Sequence, residues 1–421
     1  MKSTIEVSMI VKDGASSLGR CLKSIAPFVD RIVIGDTGSV DDSQAIARDH
    51  GAEVLDIPWE QDFARARNRV LERRKCDWVL VLDADEMLDQ SGGAEIRKLA
   101  EAEDVHAYEN PRWNYVRDTS AQLGYRATQP NPILIEETRS YPAYISMPAT
   151  RFFRNHPEIY YEGCVHETVN GRASALGLST GTAKFVVHHL GHAEEPEVMR
   201  LKKSDTYRTL VEKKLIANPD DAQALIEMGL TELDRARRPV VALRYFERAC
   251  GLSPEFAAGW LYAGVCLARL SKLPEALERL EHAANLGLRS GVLYQAAGDV
   301  HFQAGQYAEA RQAYMEVAAL GEASPLSEAR LGAAEVRLGM TLEGIRRMQQ
   351  AVASAPAFSE LYDILTAGAL LGGDLLLAAK TLEARVRMGN LSQDQFHLAD
   401  LVQARLFDYQ QKTGVQNRFA A

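Results

Sequence analysis

Trp78-Val79-Leu80-Val81-Leu82-Asp83-Ala84-Asp85-Glu86 is a run of five apolar, mostly β-forming residues that leads directly into carboxylates. A continuous apolar run of this kind reads as a strand buried on both faces, as in sheets covered by helices. The two aspartates then fall at the strand's carboxyl end, the edge of an open α/β sheet where ligands bind. A D-x-D there can set one carboxylate near a ribose hydroxyl and the other on a divalent cation that grips a diphosphate through oxygen. Alone the tripeptide is weak, because acidic residues close many strands and simply face water. Its neighbours supply the weight.

Upstream, strand and helix signals alternate. Ile5 to Val11 reads as a strand, and Leu18, Leu22 and Ile25 give helical spacing to 16–25. Arg31 to Gly35 is a second strand, ending in Asp36-Thr37-Gly38-Ser39; a helix over 42–50 and a short strand at 53–55 follow. Asp62 is placed to cap a helix running to Leu71. Repeated β-α units predict a parallel, doubly wound sheet with right-handed crossovers. The loops at 11–13, 36–39 and 83–85 then gather at one sheet edge. Neither G-x-G-x-x-G nor G-x-x-x-x-G-K-[ST] occurs, which disfavours a dinucleotide cofactor and a P-loop. From Glu103 to Thr182, prolines 111, 130, 132, 142, 148 and 157 predict loops and short strands, with 124–138 as a candidate lid.

The chain has 421 residues, more than one ordinary core accommodates, so two domains are expected. A net charge of −9 argues against nucleic-acid and anionic-membrane partners, which select a basic face. No apolar run is long enough to span a bilayer, and the N-terminus enters a strand without signal-peptide architecture. The five cysteines (Cys21, Cys76, Cys164, Cys250 and Cys266) are scattered and lack C-x-x-C spacing, as expected of reduced cytoplasmic thiols.

Strand signals end after His192, and a period of 34 replaces them. Gly264, Gly298 and Gly332 keep that interval, as do Ala276, Ala310, Gly344 and Ala378, with Leu280, Tyr314, Met348 and Leu382 four residues beyond. This is the tetratricopeptide pattern, in which small residues let paired helices approach closely. Roughly five repeats and a final capping helix over 393–412 are expected. Such a solenoid offers a surface for an extended peptide or a second subunit. A homodimerisation role therefore stands beside peptide recognition.

The ordered blocks S-M-I-V-K-D-G (8–14), D-T-G-S-V-D-D (36–42), D-F-A-R-A-R-N (62–68), D-A-D-E (83–86), R-F-F-R-N (151–155), Y-E-G-C-V-H-E (161–167) and H-H-L-G-H (188–192) resemble family 2 glycosyltransferases of the GT-A fold. They are most similar to the bacterial subgroup carrying tetratricopeptide repeats, which includes peptide S-glycosyltransferases of the sublancin type. The chain departs from that family at Asp13-Gly14, usually Asn-Glu, and at Val40-Asp41-Asp42-Ser43, usually Thr-Asp-Gly-Thr. The resemblance implies an α/β Rossmann-like GT-A domain over 1–195, a connecting helix over 196–220 and an all-α TPR solenoid over 221–421. It implies donor contacts from Val11, Asp13, Asp36, Arg67, Asp83 and Ala84. It implies Mg or Mn held by Asp85, His189 and Asp83, with Glu167 as general base and His166 beside it. The activity implied is inverting, metal-dependent transfer from a nucleotide sugar, UDP-linked, to a peptide or protein acceptor. A glycan or lipid-linked acceptor, or a scaffold whose GT-A domain is inactive, are the alternatives.

Several of these residues also have plainer readings. Asp36 before Thr37-Gly38-Ser39 fits a simple turn and helix cap. Arg67 on an acidic protein is ordinarily a surface ion pair. His188 and His189 point to opposite faces of a strand, so at most one joins a given site. His188 is expected to pack.

Overall fold

The computed structural model describes residues 2–119, 122–123, 126–163, 167–194, 197–235, 238–389, 391 and 393–413. Contacts divide it into two compact units, Met1–Arg117 with Asn131–Thr231, and Asp118–Pro130 with Glu232–Ala421.

In the first unit, β1 (Ile5–Val11), α1 (Ala15–Ile25), β2 (Arg31–Asp36), α2 (Ser43–Asp49), β3 (Glu53–Asp56), α3 (Phe63–Leu71) and β4 (Trp78–Val81) alternate along the chain. The strands pair in parallel in the order β3-β2-β1-β4. Period-two alternation sorts their side chains between two cores. Ile5, Val7, Met9, Trp78, Leu80 and Leu82 pack with Leu18, Leu22 and Ile25 of α1 on one face. Val79 and Val81 pack with Ala64 and Leu71 of α3 on the other. Asp62 caps α3, its side chain accepting from Arg65 N.

Beyond β4 come β5 (Glu86–Met87), α4 (Gln90–Leu99) and β6 (Ala107–Val116). The stretch 103–182, predicted as loops and short strands, contains the two longest strands of the sheet. β6 has 10 residues and pairs antiparallel with a strand of 12 residues, Ala143–Arg154. Their prolines fall at one rung, Pro148 opposite Pro111, so the missing amide donors coincide instead of interrupting the ladder twice. The sheet is therefore mixed, not wholly parallel. Between these strands lie β7 (Gln122–Leu123) and β8 (Arg126–Ala127), which pair with each other, and β9 (Gln129–Pro130); the 12-residue strand is β10. Residues 124–125 of the candidate lid lie outside the described residues.

After β10 come α5 (Asn170–Ala175), β11 (Thr180–Thr182), β12 (Val187–His189), α6 (Gly191–Glu194), α7 (Glu197–Ala217) and α8 (Ala222–Leu230). β12 lies parallel to β6, with His189 opposite Asn114 and His188 opposite Trp113. It is antiparallel to β5, where His189 meets Glu86.

The helices of the second unit are α9 (Pro239–Leu252), α10 (Ala257–Arg269), α11 (Leu273–Asn285), α12 (Gly291–Gln303), α13 (Tyr307–Ala319), α14 (Pro325–Arg337), α15 (Thr341–Ser354), α16 (Ser359–Leu371), α17 (Leu375–Arg387) and α18 (Gln393–Thr413). The periodic glycines lie where neighbouring helices touch. A Cβ on Gly264 would stand 2.8 Å from Leu280 Cγ, one on Gly298 2.6 Å from Tyr314 Cε1, and one on Gly332 2.6 Å from Gly344 O. The 34-residue sequence period is thus the contact period of an all-α TPR solenoid. Among the described residues no helix is long and apolar enough to cross a membrane.

Candidate active site

The carboxyl ends of β1, β2 and β4 bring the three acidic loops together, as parallel pairing requires. Thr37 N donates to Val11 O at 2.9 Å. Asp36 is 1% exposed, and its Oδ1 accepts from Gly38 N and Ser39 N at 2.9 and 2.8 Å. Gly38 supports that turn with a φ of 100°, a region L side chains rarely adopt. Burial pushes the Asp36 carboxyl up, but the Ser39 hydroxyl and these amides outweigh it and hold it below the ordinary carboxylate range. Among the described residues its buried Oδ2 has no hydrogen-bond partner within bonding distance.

The two departures from the family pattern meet each other. Asp13 N donates to Ser39 Oγ at 2.9 Å, Asp13 Oδ1 accepts from Val40 N at 2.8 Å, and Gly14 N donates to Ser43 Oγ at 2.8 Å. Ala15 N donates to Asp41 Oδ2 at 2.9 Å. Gly14 also lets the start of α1 press on the site, since a Cβ there would lie 2.8 Å from Val11 Cγ2 and 3.2 Å from Ala84 Cβ.

A continuous chain of charged groups runs from Glu167 to Asp85. Arg67, on the inner face of α3 and 6% exposed, donates from Nε to Glu167 Oε1 at 2.7 Å and from Nη2 to Asp83 Oδ1 at 2.6 Å. Asp83 Oδ2 accepts from Arg151 Nη2 at 3.1 Å, and the same nitrogen reaches Glu86 Oε1 at 3.0 Å. Glu86, 1% exposed, lies 2.8 Å from Arg112 Nε and accepts from Asp83 N through Oε2 at 2.9 Å. Arg112 Nη2 stands 3.1 Å from His189 Nδ1, and His189 Nε2 stands 3.4 Å from Asp85 Oδ2.

Arg67 and Glu86 are buried and the rest of these charges half-buried, so they interact more strongly than surface pairs do. Burial works to raise the Asp83 carboxyl, yet Arg67, Arg151 and Arg112 together hold it well below the usual range. Burial works to lower Arg67, and Asp83 and Glu167 reverse that, leaving it raised. Tyr161, whose ring lies under the Arg67 guanidinium, is pushed up to about 12 by burial against the opposing pull of Arg67 and Arg151.

His189 is oriented by Asn114, whose Oδ1 lies 2.8 Å from Nδ1. The amide orientation is fixed on its other side, where Nδ2 donates to Ile145 O at 3.2 Å. Asn114 and Arg112 both meet the ring at Nδ1, which leaves Nε2 as the nitrogen turned toward Asp85. His188 faces away. It is fully buried, with Tyr115 Oη 2.8 Å from its Nδ1.

Glu167, Arg67, Asp83, Asp85 and His189 are thus brought together, with Val11, Asp36 and Ala84 along the same edge; His166 lies outside the described residues. Sequence reasoning gave no role to Arg112, Asn114, Glu86 or Arg151. The usable signals were the i, i+2 spacing of Arg112 and Asn114, which puts both on one strand face, and the presence of Glu86 and Arg151 in quoted blocks.

Residues 7–151 match glycosyl transferase family 2. The N-terminal domain is a family 2 glycosyltransferase domain. The chain is 30% identical over 53% of its length to a TPR repeat-containing protein of Synechococcus elongatus, of which it covers 51%. It is 23% identical over 58% of its length to the SPbeta prophage-derived glycosyltransferase SunS of Bacillus subtilis, of which it covers 53%. The chain therefore spans about half the length of these curated relatives. A tetratricopeptide repeat protein from Parabacteroides merdae superposes with a TM-score of 0.43 at 14% identity, covering 50% of this chain and 83% of that one.

Among the described residues, no group of three or more His, Cys, Asp or Glu side chains forms a ready metal cage in this glycosyltransferase domain. The Asp85–His189 pair nevertheless fits a divalent ion. Mg²⁺ characteristically takes one or two protein carboxylates and completes its shell with substrate phosphates and water, and a neutral imidazole suits Mn²⁺ or other transition ions. Asp83 has an arginine on each oxygen and is the less available ligand.

Proposed function

We propose that this protein is an inverting, metal-dependent glycosyltransferase that moves a sugar from a UDP-linked donor to a peptide or protein acceptor. The observation that carries the reading is the chain of ion pairs and hydrogen bonds that runs from Glu167 through Arg67, Asp83, Arg151, Glu86 and Arg112 to the Asp85–His189 pair. Its position at the carboxyl edge of a family 2 domain supports a nucleotide-sugar site. Val11, Asp13, Asp36 and Ala84 line the nucleoside side, and the Asp36 carboxylate accepts a base or ribose donor.

Glu167 takes the proton of the acceptor O–H, S–H or N–H as that atom bonds to the anomeric carbon, and the bond to the diphosphate oxygen breaks. One displacement needs no covalent nucleophile and inverts the anomeric centre. Arg67 fixes Glu167 in place and ties it to the donor-side Asp83. A divalent ion held by Asp85 and His189 would supply charge neutralisation for the departing diphosphate. On this reading donor chemistry belongs to 1–195, and 221–421 reads the acceptor across the connecting segment 196–220, since stacked repeats present an extended surface for peptides.

Calorimetry with UDP, with and without Mn²⁺, tests the donor site, and mass shifts on candidate peptides incubated with UDP-sugars test the acceptor. Metal-dependent UDP binding is expected. Its absence would favour a repeat scaffold, and transfer to glycans but not peptides would move the acceptor class.

A further inference from the structure

The side chain of Asp85 occupies space that any residue other than glycine would need at position 191. A Cβ built on Gly191 would lie 1.8 Å from Asp85 Oδ2, 2.6 Å from Asp85 Cγ and 3.1 Å from Asp85 Cβ. The whole carboxylate rests on a bare Cα, so swinging only its tip would not relieve the overlap. The backbone adds a second tie, as Leu190 N donates to Asp85 O at 3.1 Å. His189, two residues before Gly191, closes the arrangement with Nε2 3.4 Å from Asp85 Oδ2. Gly191 opens α6 and is not among the residues with left-handed φ, so nothing in its backbone calls for glycine. Alanine is intrinsically the better helix former there. The glycine supplies room.

We infer that Gly191 is a positioning residue that acts through Asp85, holding its carboxylate against the imidazole of His189 so that the pair presents one divalent-cation site. This rests on the metal reading proposed above. It extends the donor machinery to a residue with no side chain. Asn114 orients the imidazole and Gly191 orients the carboxylate, so both ligands are set before any ion arrives.

The test uses the full chain in four forms: wild type, Gly191→Ala, Asp85→Ala and the double variant. Mn²⁺ binding in the presence of UDP is read from the electron paramagnetic resonance signal of the free ion, and stability is read by thermal unfolding. Gly191→Ala should weaken Mn²⁺ binding by about 10–100-fold, the range for losing a residue that orients a ligand. It should also lower the first melting transition by about 2–4 °C, as modest overpacking does. In the Asp85→Ala background the 1.8 and 2.6 Å overlaps are gone and only the 3.1 Å Cβ contact remains, so the same alanine should cost much less in stability and nothing further in Mn²⁺ binding. Wild-type Mn²⁺ affinity in Gly191→Ala, or an equal thermal penalty in both backgrounds, would overturn the inference. Should Gly191→Ala alone fail to fold, recovery in the double variant supports it and failure there overturns it. Equal Mn²⁺ binding by wild type and Asp85→Ala would refute the metal reading, and with it the role given to Gly191. The melting cycle would still report the packing separately.

Discussion

Arg67 donates from Nε to Glu167 Oε1 at 2.7 Å, joining residues 100 apart in sequence. The same guanidinium holds Asp83 Oδ1 at 2.6 Å, so the proposed base and the donor-side aspartate share one rigid fork. Lysine keeps the charge but cannot span both carboxylates with fixed geometry. Arg67→Lys should therefore lower turnover by about 100-fold, as displacement of a catalytic group does. Arg67→Met, which takes the cation from Glu167 and leaves Asp83 with Arg151, should cost about 3 kcal/mol of stability. Steady-state kinetics and urea unfolding of both variants check the pair of outcomes.

Glu167→Gln removes the proton acceptor while keeping size and the hydrogen bond from Arg67. Turnover should fall by about 10²–10⁴-fold, the usual value of a positioned base, with UDP affinity nearly unchanged. Parallel loss of both, measured by calorimetry alongside initial rates, would mean that Glu167 serves the fold.

His188 gives a pH signature separate from the active site. Burial lowers its pKa to about 4, against weaker upward pulls from Asp89 and Glu137, while the unfolded side chain titrates near 6.5. Between those values the unfolded chain binds the extra proton, so stability falls as pH drops from about 6.5 to 4, by about 3 kcal/mol from this residue. The Asp83 contribution works in a lower window. Its folded pKa is depressed, so its stabilisation is present above about 3.9 and lost only as pH falls below that value. His188→Gln, which keeps a neutral hydrogen-bonding group beside Tyr115, should flatten the slope between pH 6.5 and 4. Urea unfolding at several pH values reads the difference directly.

In the repeats, two glycines make opposite predictions. Gly332 faces backbone, with a Cβ landing 2.6 Å from Gly344 O, so Gly332→Ala should destabilise the solenoid by about 1–3 kcal/mol. A Cβ on Gly251 in α9 meets nothing within 4 Å, so Gly251→Ala should stabilise by about 0.5–1 kcal/mol. Opposite signs in thermal unfolding are expected.

How far the sequence could be read depended on whether the cause of each feature was local. β1, β2 and β4 carry apolar runs buried on both faces, and Asp62 caps its helix with its own carboxylate, so no distant partner was needed to see them. The 34-residue glycine spacing was legible because every repeat solves the same packing problem. β6 and β10 were not, because Pro111 and Pro148 argue against strand until their pairing is known. The site divided in the same way. Carboxylates after a buried strand announce themselves, and opposite-facing neighbours on a strand separated His188 from His189. Arg112, Arg151 and Asn114 sit within those two strands, where composition alone suggests surface or turn. Only the register that puts Asn114 opposite His189 shows that they serve the site.

Gly14 connects the departure from the family pattern to donor binding. A methyl group there would press on Val11 Cγ2 at 2.8 Å and on Ala84 Cβ at 3.2 Å, two residues proposed to line the nucleoside side. Its amide is meanwhile held by Ser43 Oγ and its neighbour Asp13 by Val40 N, so the loop cannot simply back away. Gly14→Ala should therefore weaken UDP binding by about tenfold, which is about 1.4 kcal/mol of misfit at the donor edge. Ser43→Ala, which frees the Gly14 amide, should let the loop retreat and recover part of that affinity in the double variant. Calorimetric titration of the two single variants and the pair settles whether the coupling is real: strictly additive losses would mean that the two loops act independently of each other and of the pocket.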